Sequence, residues 1–97
     1  MKTNRNYKIR EIAGEYYLIS VGAEIGRTPE PIQLTETAAW IWRQMEAGVL
    51  PARLPEKMTA EYDVELAQAR VSVRRFLAEL LRQGLIEADF PYEKKGN

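Results

Sequence analysis

The chain has 97 residues, of which 14 are Lys or Arg and 14 are Asp or Glu, and it contains neither cysteine nor histidine. A chain of this length forms one domain, and its balanced charge gives no general electrostatic reason to expect nucleic acid or an anionic membrane as partner. Without cysteine and histidine there is no disulfide framework, thiolate nucleophile, His-based triad or soft metal site. We therefore expect no catalytic residues, no metal ion and no cofactor.

The first part of the chain predicts a polar terminus followed by a β-hairpin. Residues 1–6 are mostly polar and lack the apolar run of a signal peptide, so we expect a flexible N-terminus and a cytoplasmic protein. Tyr7–Ile12 alternates, and residues 13–15 supply a turn before the nearly continuous apolar segment 16–21. Such a segment is typical of the middle strand of a three-stranded sheet.

A third strand is predicted to run directly into the first helix. After a loop over residues 22–30, residues 32–34 alternate as in a half-buried strand. Thr35 follows at the position of a helix N-cap, where its hydroxyl can accept a hydrogen bond from the next turn. The helix is predicted over residues 36–47 and ends at Gly48. Its buried face repeats at helical spacing in Ala38, Ile41, Trp42 and Met45.

Two further helices are predicted. One lies between Pro51 and Tyr62, and its start is open because Pro55 must occupy the first turn or begin the helix. Asp63 is placed to cap a third helix over residues 64–83. The apolar stripe of this helix consists of Leu66, Ala69, Val73, Phe76, Leu77 and Leu80.

The order of these elements predicts the fold class. Residues 85–87 are predicted to form a short extended segment, and residues 89–97 are predicted to form a disordered tail. Three strands followed by three helices indicate an α+β, winged-helix-like fold, in which an N-terminal three-stranded antiparallel sheet precedes a three-helix bundle. The predicted domain spans residues 7–88.

Four motifs occur in order along the chain, the first being Leu-Thr-Glu-Thr-Ala-Ala at residues 34–39 with Trp42 after it. The others are Glu-Ala-Gly at 46–48, Glu-Tyr-Asp-Val at 61–64, and Phe-Leu-Ala-Glu-Leu at 76–80 leading to Gly-Leu-Ile-Glu at 84–87. At these spacings they resemble the PqqD family, the pyrroloquinoline quinone (PQQ) biosynthesis protein D group. The fold of this family recurs as the recognition element for precursors of ribosomally synthesised, modified peptides.

The resemblance implies a non-catalytic chaperone for a ribosomally made precursor peptide. Such domains bind the leader of the precursor as a strand added to the third strand, in a cleft bounded by the third helix. They present the peptide to a modifying enzyme, often a radical SAM protein, on the way to PQQ or another peptide product. The implied peptide-binding residues on the strand are Ile32, Gln33, Leu34 and Thr35.

The third helix has a flank, beside and opposite its apolar stripe, that mixes small apolar residues with cations. Its members are Ala67, Val71, Arg74, Ala78 and Arg82. Each alone is explained by helix propensity or by a charged surface. Together they favour a groove with an apolar floor and basic rims, suited to a leader that carries Leu or Ile and acidic residues. We expect this flank to belong to the peptide site.

Trp40 lies roughly opposite the buried face of the first helix. One interpretation is contact with a partner, either the modifying enzyme or a second copy of the chain. The other is partial burial against Val49 and Leu50. A homodimer formed by exchange of the N-terminal hairpin is a further hypothesis.

The main alternative function is a winged-helix transcriptional regulator, in which arginines of the third helix enter the DNA major groove. Those arginines are Arg70, Arg74, Arg75 and Arg82. The zero net charge and the lack of a basic wing argue against it. A small enzyme using carboxylates and tyrosines ranks below both.

Overall fold

The computed structural model describes residues 2–21 and 30–87. The strands within this part of the chain are β1 (Lys2–Thr3), β2 (Tyr7–Ile12), β3 (Glu15–Ser20), β4 (Ile32–Leu34) and β5 (Ile86–Glu87). The helices are α1 (Glu36–Glu46), a 3-10 turn (Pro51–Arg53), α2 (Leu54–Glu61) and α3 (Leu66–Arg82). This order confirms the predicted α+β class. The predicted tail over 89–97, and residues 22–29 of the predicted loop, lie outside the described residues.

The main sheet is antiparallel, with strand order β2-β3-β4. β3 is the middle strand, as its continuous apolar character predicts. The hairpin between β2 and β3 turns through Ala13 and Gly14, whose φ angles of 54° and 82° are both positive. Two consecutive positive φ angles match the right-handed twist of the flanking strands, and this explains the tight connection.

A second, two-stranded sheet joins the two ends of the described chain. β1 pairs antiparallel with β5, with Lys2 opposite Glu87 and Thr3 opposite Ile86. The Asn4 amide also donates to the Leu85 carbonyl at 2.8 Å. Lys2 and Thr3, within the predicted flexible terminus over residues 1–6, thus have backbone partners after α3, and the flexibility of this terminus stays a prediction. The predicted extended segment at 85–87 is confirmed in β5.

The junction between β4 and α1 follows the sequence closely. Thr35 is the N-cap of α1, and its hydroxyl accepts from the Ala38 amide at 3.1 Å. The helix ends at Glu46 with Ala47 as its C-cap, and Gly48 follows with a φ of 95°, a conformation that favours glycine. The strand and the helix are thus joined at a single residue.

The structure shows where α2 and α3 begin. α2 begins after the 3-10 turn, and Pro55 lies in its first turn, where a missing amide proton costs no hydrogen bond. α3 begins at Leu66 with Glu65 as its N-cap, and no side chain caps it. The prediction that Asp63 caps a helix from residue 64 is wrong, because the extended Glu65 backbone delays the first turn.

The core lies between the sheet and the helices. Its largest fully buried side chains are Leu18, Ile41, Trp42, Leu54, Met58 and Leu80. Trp42 is completely buried, as the α1 stripe predicts, and its Nε1 has no hydrogen-bond partner among the described residues. In α3, Val73 and Leu80 are buried while Phe76 remains half-exposed. No helix in the described ranges is long and apolar enough to cross a membrane.

Candidate functional site

The strand β4 leaves one edge of the main sheet open. It pairs with β3, and no other strand of residues 2–21 and 30–87 lies beside its outer edge. An open strand edge presents unpaired N–H and C=O groups to whatever extended chain lies next to it. Which groups these are follows from the hydrogen-bond alternation of the sheet.

The hairpin between β2 and β3 fixes which residue pairs of the ladder exchange backbone hydrogen bonds and which do not. A two-residue turn is closed by a pair that exchanges hydrogen bonds, here Ile12 and Glu15. Every second pair along an antiparallel ladder repeats that arrangement, so Asn6 and Val21 should also be a hydrogen-bonded pair. The structure agrees, since the backbone amide of Val21 donates to the Asn6 carbonyl at 2.7 Å. The even-numbered residues of β3 therefore direct their backbone groups toward β4.

Gln33 carries the free backbone groups of β4. Tyr16 and Leu18 face Leu34 and Ile32 across the ladder and take up their N–H and C=O groups. Gln33, between them, directs its N–H and C=O to the open edge. Its side chain donates to the Glu15 carboxylate at 2.7 Å on the outer face of the sheet. A guest strand can therefore pair with Gln33 without disturbing β3.

A groove runs along this edge between β4, the start of α1, and α3. One cavity of about 320 Å³ lies beside residues 32–35 and the end of α3, where it contacts Leu80, Gln83 and Leu85. A second, of about 470 Å³, lies between α1 and the middle of α3, beside Ser72 and Arg75. The two cavities share Thr35, Ala38, Phe76 and Glu79. They form one continuous groove.

The floor of the groove is apolar. Ala38, Leu80 and Leu85 are buried there, and Phe76 lies half-exposed between the two cavities. An apolar floor next to free backbone groups is the combination that strand addition requires, because the backbone bonds position the guest and its side chains fill the cavities.

The charged side chains of the groove differ in their partners. Arg82 and Gln83 donate to the Glu79 carboxylate, and these hydrogen bonds lower the pKa of Glu79. Arg75 lines the same groove and forms no ion pair with any described residue. Glu79 in the groove is therefore paired, whereas Arg75 has no ion-pair partner among residues 2–21 and 30–87.

The family model for coenzyme PQQ synthesis protein D (PqqD) matches residues 26–86, which is more than half of the chain. The chain belongs to the PqqD family. No curated protein matches it. This identification accounts for the order of motifs from the β4–α1 junction to β5.

Two solved structures share the fold of this PqqD-family chain. The first shows TbiB1 in complex with the TbiA(beta) leader peptide, with a TM-score of 0.74, 24% identity, and coverage of 93% of this chain and 99% of that one. The second shows lasso peptide synthetase B1 complexed with the leader peptide, with a TM-score of 0.72, 23% identity, and coverage of 90% and 96%. The similarity extends over nearly the whole of both domains.

The predicted strand residues of this PqqD-family chain lie at the groove. Ile32, Gln33, Leu34 and Thr35 all line the cavity beside β4. Leu34 is buried and Ile32 half-buried, so both side chains turn toward the helices, whereas Gln33 is exposed. Their contact with a peptide stays a prediction.

The predicted flank of α3 lies elsewhere. Its members, Ala67, Val71, Arg74, Ala78 and Arg82, are all exposed, and none lines either cavity. The groove beside β4 instead adjoins the apolar stripe of α3 at Phe76, and contact of the predicted flank with a peptide stays a prediction.

The residues that α3 does present to the groove are Ser72, Arg75, Phe76 and Glu79, with Gln83 at its end. The sequence contains a signal for them, since Ser72, Phe76, Glu79 and Gln83 recur at i, i+4, i+7 and i+11 and so share one helical face. That signal is hidden because polar residues on such a face are indistinguishable from an ordinary solvated surface.

Trp40 lies outside the groove and is half-buried. Its ring meets Tyr62 edge to face, with centroids 5.8 Å apart and planes at 86°. Burial, followed by the charges of Glu36 and Glu61, raises the pKa of Tyr62. Trp40 is therefore partly buried, and its aromatic neighbour is Tyr62. Leu50, by contrast, is 65% exposed. Contact of Trp40 with a partner stays a prediction.

Acidic side chains do not converge in the part of the chain that the structure describes. No group of three or more His, Cys, Asp or Glu residues there is arranged to hold a metal ion. The arrangement that the groove offers is one for binding an extended chain.

Proposed function

We propose that the chain is a recognition element that binds the leader of a ribosomally synthesised precursor peptide by strand addition to β4. The observation that carries the proposal is the edge at Gln33, which no described strand covers, beside the apolar groove. Membership of the PqqD family supports it, as does the fold shared with two proteins solved with leader peptides.

In this proposal the leader adds to β4 as an antiparallel strand. The leader residue opposite Gln33 exchanges backbone hydrogen bonds with it, and its side chain points to the outer face beside Glu15. The leader residues on either side of it point the other way, into the groove over Phe76 and Leu80. Recognition therefore needs two apolar side chains separated by one residue, while the backbone bonds tolerate any sequence.

The domain would present the leader and leave the chemistry to another protein. The partner in this proposal is a peptide-modifying enzyme, such as a radical SAM protein, and the site of action is the cytoplasm. Binding by an added strand suits this role, because it holds the leader and leaves the following core segment of the precursor outside the groove.

The test is an NMR titration of the 15N-labelled chain with the leader of the precursor encoded beside its own gene. We expect shifts at residues 32–35, and at Ser72, Arg75, Phe76 and Glu79 on α3. Binding should persist at high salt, because backbone pairing and apolar contact are not screened. If the spectrum is unchanged by the leader but changes with duplex DNA in a salt-sensitive manner, the alternative function as a transcriptional regulator replaces this proposal.

A further inference from the structure

The two ends of the groove differ in chemistry. The lining of the cavity beside β4 includes the buried side chains of Leu80 and Leu85. The cavity between α1 and the middle of α3 adds Thr37, Ser72 and Arg75 to its lining. A bound peptide would therefore meet apolar atoms at one end and hydroxyl groups with a guanidinium at the other.

The guanidinium of Arg75 is not neutralised from within the groove. Glu79 lies four residues after it on α3, a spacing at which the two could pair. The carboxylate is instead held on both oxygens, by Arg82 from Nε and an η nitrogen and by the Gln83 amide. These bonds lower its pKa and keep it ionised while directing its charge toward the end of the helix. Arg75 is left facing the groove with its charge unpaired among the described residues.

We infer that Arg75 selects leader peptides by binding the carboxylate of an Asp or Glu side chain. The inference rests on the proposed function and adds a charge requirement to it. A guanidinium recognises a carboxylate through paired N–H donors, and the nearby Ser72 and Thr37 hydroxyls can complete the shell of donors. The groove then reads two apolar side chains and one acidic side chain.

The spacing of these three side chains follows from the geometry of α3. Arg75 and Leu80 are five residues apart, roughly 7.5 Å along the helix axis. An extended peptide covers that distance in about two residues. Side chains that point into the groove alternate, so the acidic residue lies two positions from the nearer apolar one. In antiparallel addition to β4 it lies on the N-terminal side, which gives the pattern acidic-x-apolar-x-apolar.

The test is a reciprocal charge exchange with the full chain and the leader of the precursor encoded beside its gene. Binding is measured by fluorescence anisotropy at low salt for the wild type, Arg75→Glu and Arg74→Glu. The same proteins are titrated with leaders in which each acidic residue is replaced in turn by Lys. Arg74→Glu is the matched control, since it makes the same charge change one residue away on an exposed face that does not line the groove.

We expect Arg75→Glu to weaken binding of the native leader about fivefold or more, and Arg74→Glu to change it less than about twofold. One Lys-substituted leader should bind Arg75→Glu more tightly than it binds the wild type. Circular dichroism of the variants checks that the fold is intact.

Two outcomes would overturn the inference while leaving the proposed function in place. In one, both Arg variants weaken binding equally, which indicates a general charge effect. In the other, the leader shifts the Gln33 amide signal in the Arg75→Glu spectrum with unchanged affinity. If no leader shifts the Gln33 amide of the wild type, the proposed function itself fails.

Discussion

The main sheet has two outer edges, and they differ in what stands beside them. At β4 the edge is three residues long and α3 runs next to it, enclosing a groove with an apolar floor. At β2 the edge is six residues long, and the cleft beside it is lined by Arg5, Lys8, Arg10 and Glu46 together with Thr3 and Ile9. Both edges offer the same backbone groups, so the side chains decide which edge receives a guest strand.

The difference shows two solutions to the hazard of an open edge. β2 carries cations along its length, and these repel a second copy and keep the edge hydrated. β4 is short and follows Pro31, which cannot extend the ladder because it has no amide proton. A short edge with an apolar groove can still accept one matched peptide while discouraging unspecific pairing.

The largest difference in leader affinity is expected between two proline variants, one at the outward-facing position of each edge. Gln33→Pro removes the N–H that faces the guest and places a ring in its path. It keeps the backbone pairing of β4 with β3 and loses only the exposed side-chain hydrogen bond to Glu15. We expect leader affinity to fall about a hundredfold by isothermal titration calorimetry, with the fold retained. Glu11→Pro makes the same change at β2, where the alternation also directs the backbone outward, and should leave affinity unchanged. Equal losses in the two variants would remove the distinction between the edges.

The apolar floor gives the next largest effect. Phe76→Ala removes a half-buried ring shared by both cavities, so we expect about tenfold weaker leader binding and a loss of about 1–2 kcal/mol in unfolding free energy. Ile12→Ala, at the end of β2, is the control, because this side chain is 52% exposed and lies away from the groove. Chemical denaturation and titration of both variants separate a binding effect from a stability effect. Unchanged affinity in Phe76→Ala would show that the guest does not occupy the groove.

The charges of the β2 edge can be tested by their removal. The double variant Lys8→Val, Arg10→Val leaves a long apolar edge, and we expect its apparent mass in light scattering to rise with concentration relative to the wild type. Gln33→Val makes a comparable change at β4 and should behave as the wild type, because that edge is only three residues long. Self-association of the β4 variant instead would mean that length and Pro31 do not protect it.

The smallest effect concerns the ion pair at the groove rim. The hydrogen bonds from Arg82 and Gln83 lower the pKa of Glu79 in the folded chain. A lowered folded pKa contributes stability that is present above the ordinary glutamate pKa and is lost as the pH falls through the folded value. Glu79→Gln should therefore have a slightly lower melting temperature than the wild type near neutral pH, and the two should converge in acid. The pairing has no stabilising role if the difference is the same at every pH.

The junction between β4 and α1 was predictable because the sequence features that indicate it are local. Thr35 combines a capping side chain with the change from a two-residue to a 3.6-residue period, and both are visible in a few consecutive residues. The strand half of the candidate site could be located for that reason. The open edge at Gln33 follows from the same alternation.

The α3 half of the site could not be located from periodicity. The repeat of apolar residues defines the stripe that faces the core, but it does not say which side of that stripe borders β4. Val71 looks like a sign of burial, yet it is 45% exposed, while Arg75 looks like a surface residue and lines the groove. Only the packing of the helix against the sheet distinguishes the two flanks.

The pairing of β1 with β5 was unpredictable for a different reason. Lys2 and Thr3 carry no apolar pattern, and their partners Ile86 and Glu87 are more than eighty residues away in the chain. A two-residue strand formed by such a distant contact leaves no trace in a local window.

The small sheet between Lys2 and Glu87 also determines how this domain could be tethered. The two residues face each other across one strand spacing, about 5 Å, so segments attached directly before Lys2 and directly after Glu87 start from nearly the same point. A leader fused to the N-terminal side and one fused to the C-terminal side would need linkers of nearly equal length to reach β4. Their effective concentrations at the groove should therefore be similar, which makes the order of fusion a free choice in a single-chain design.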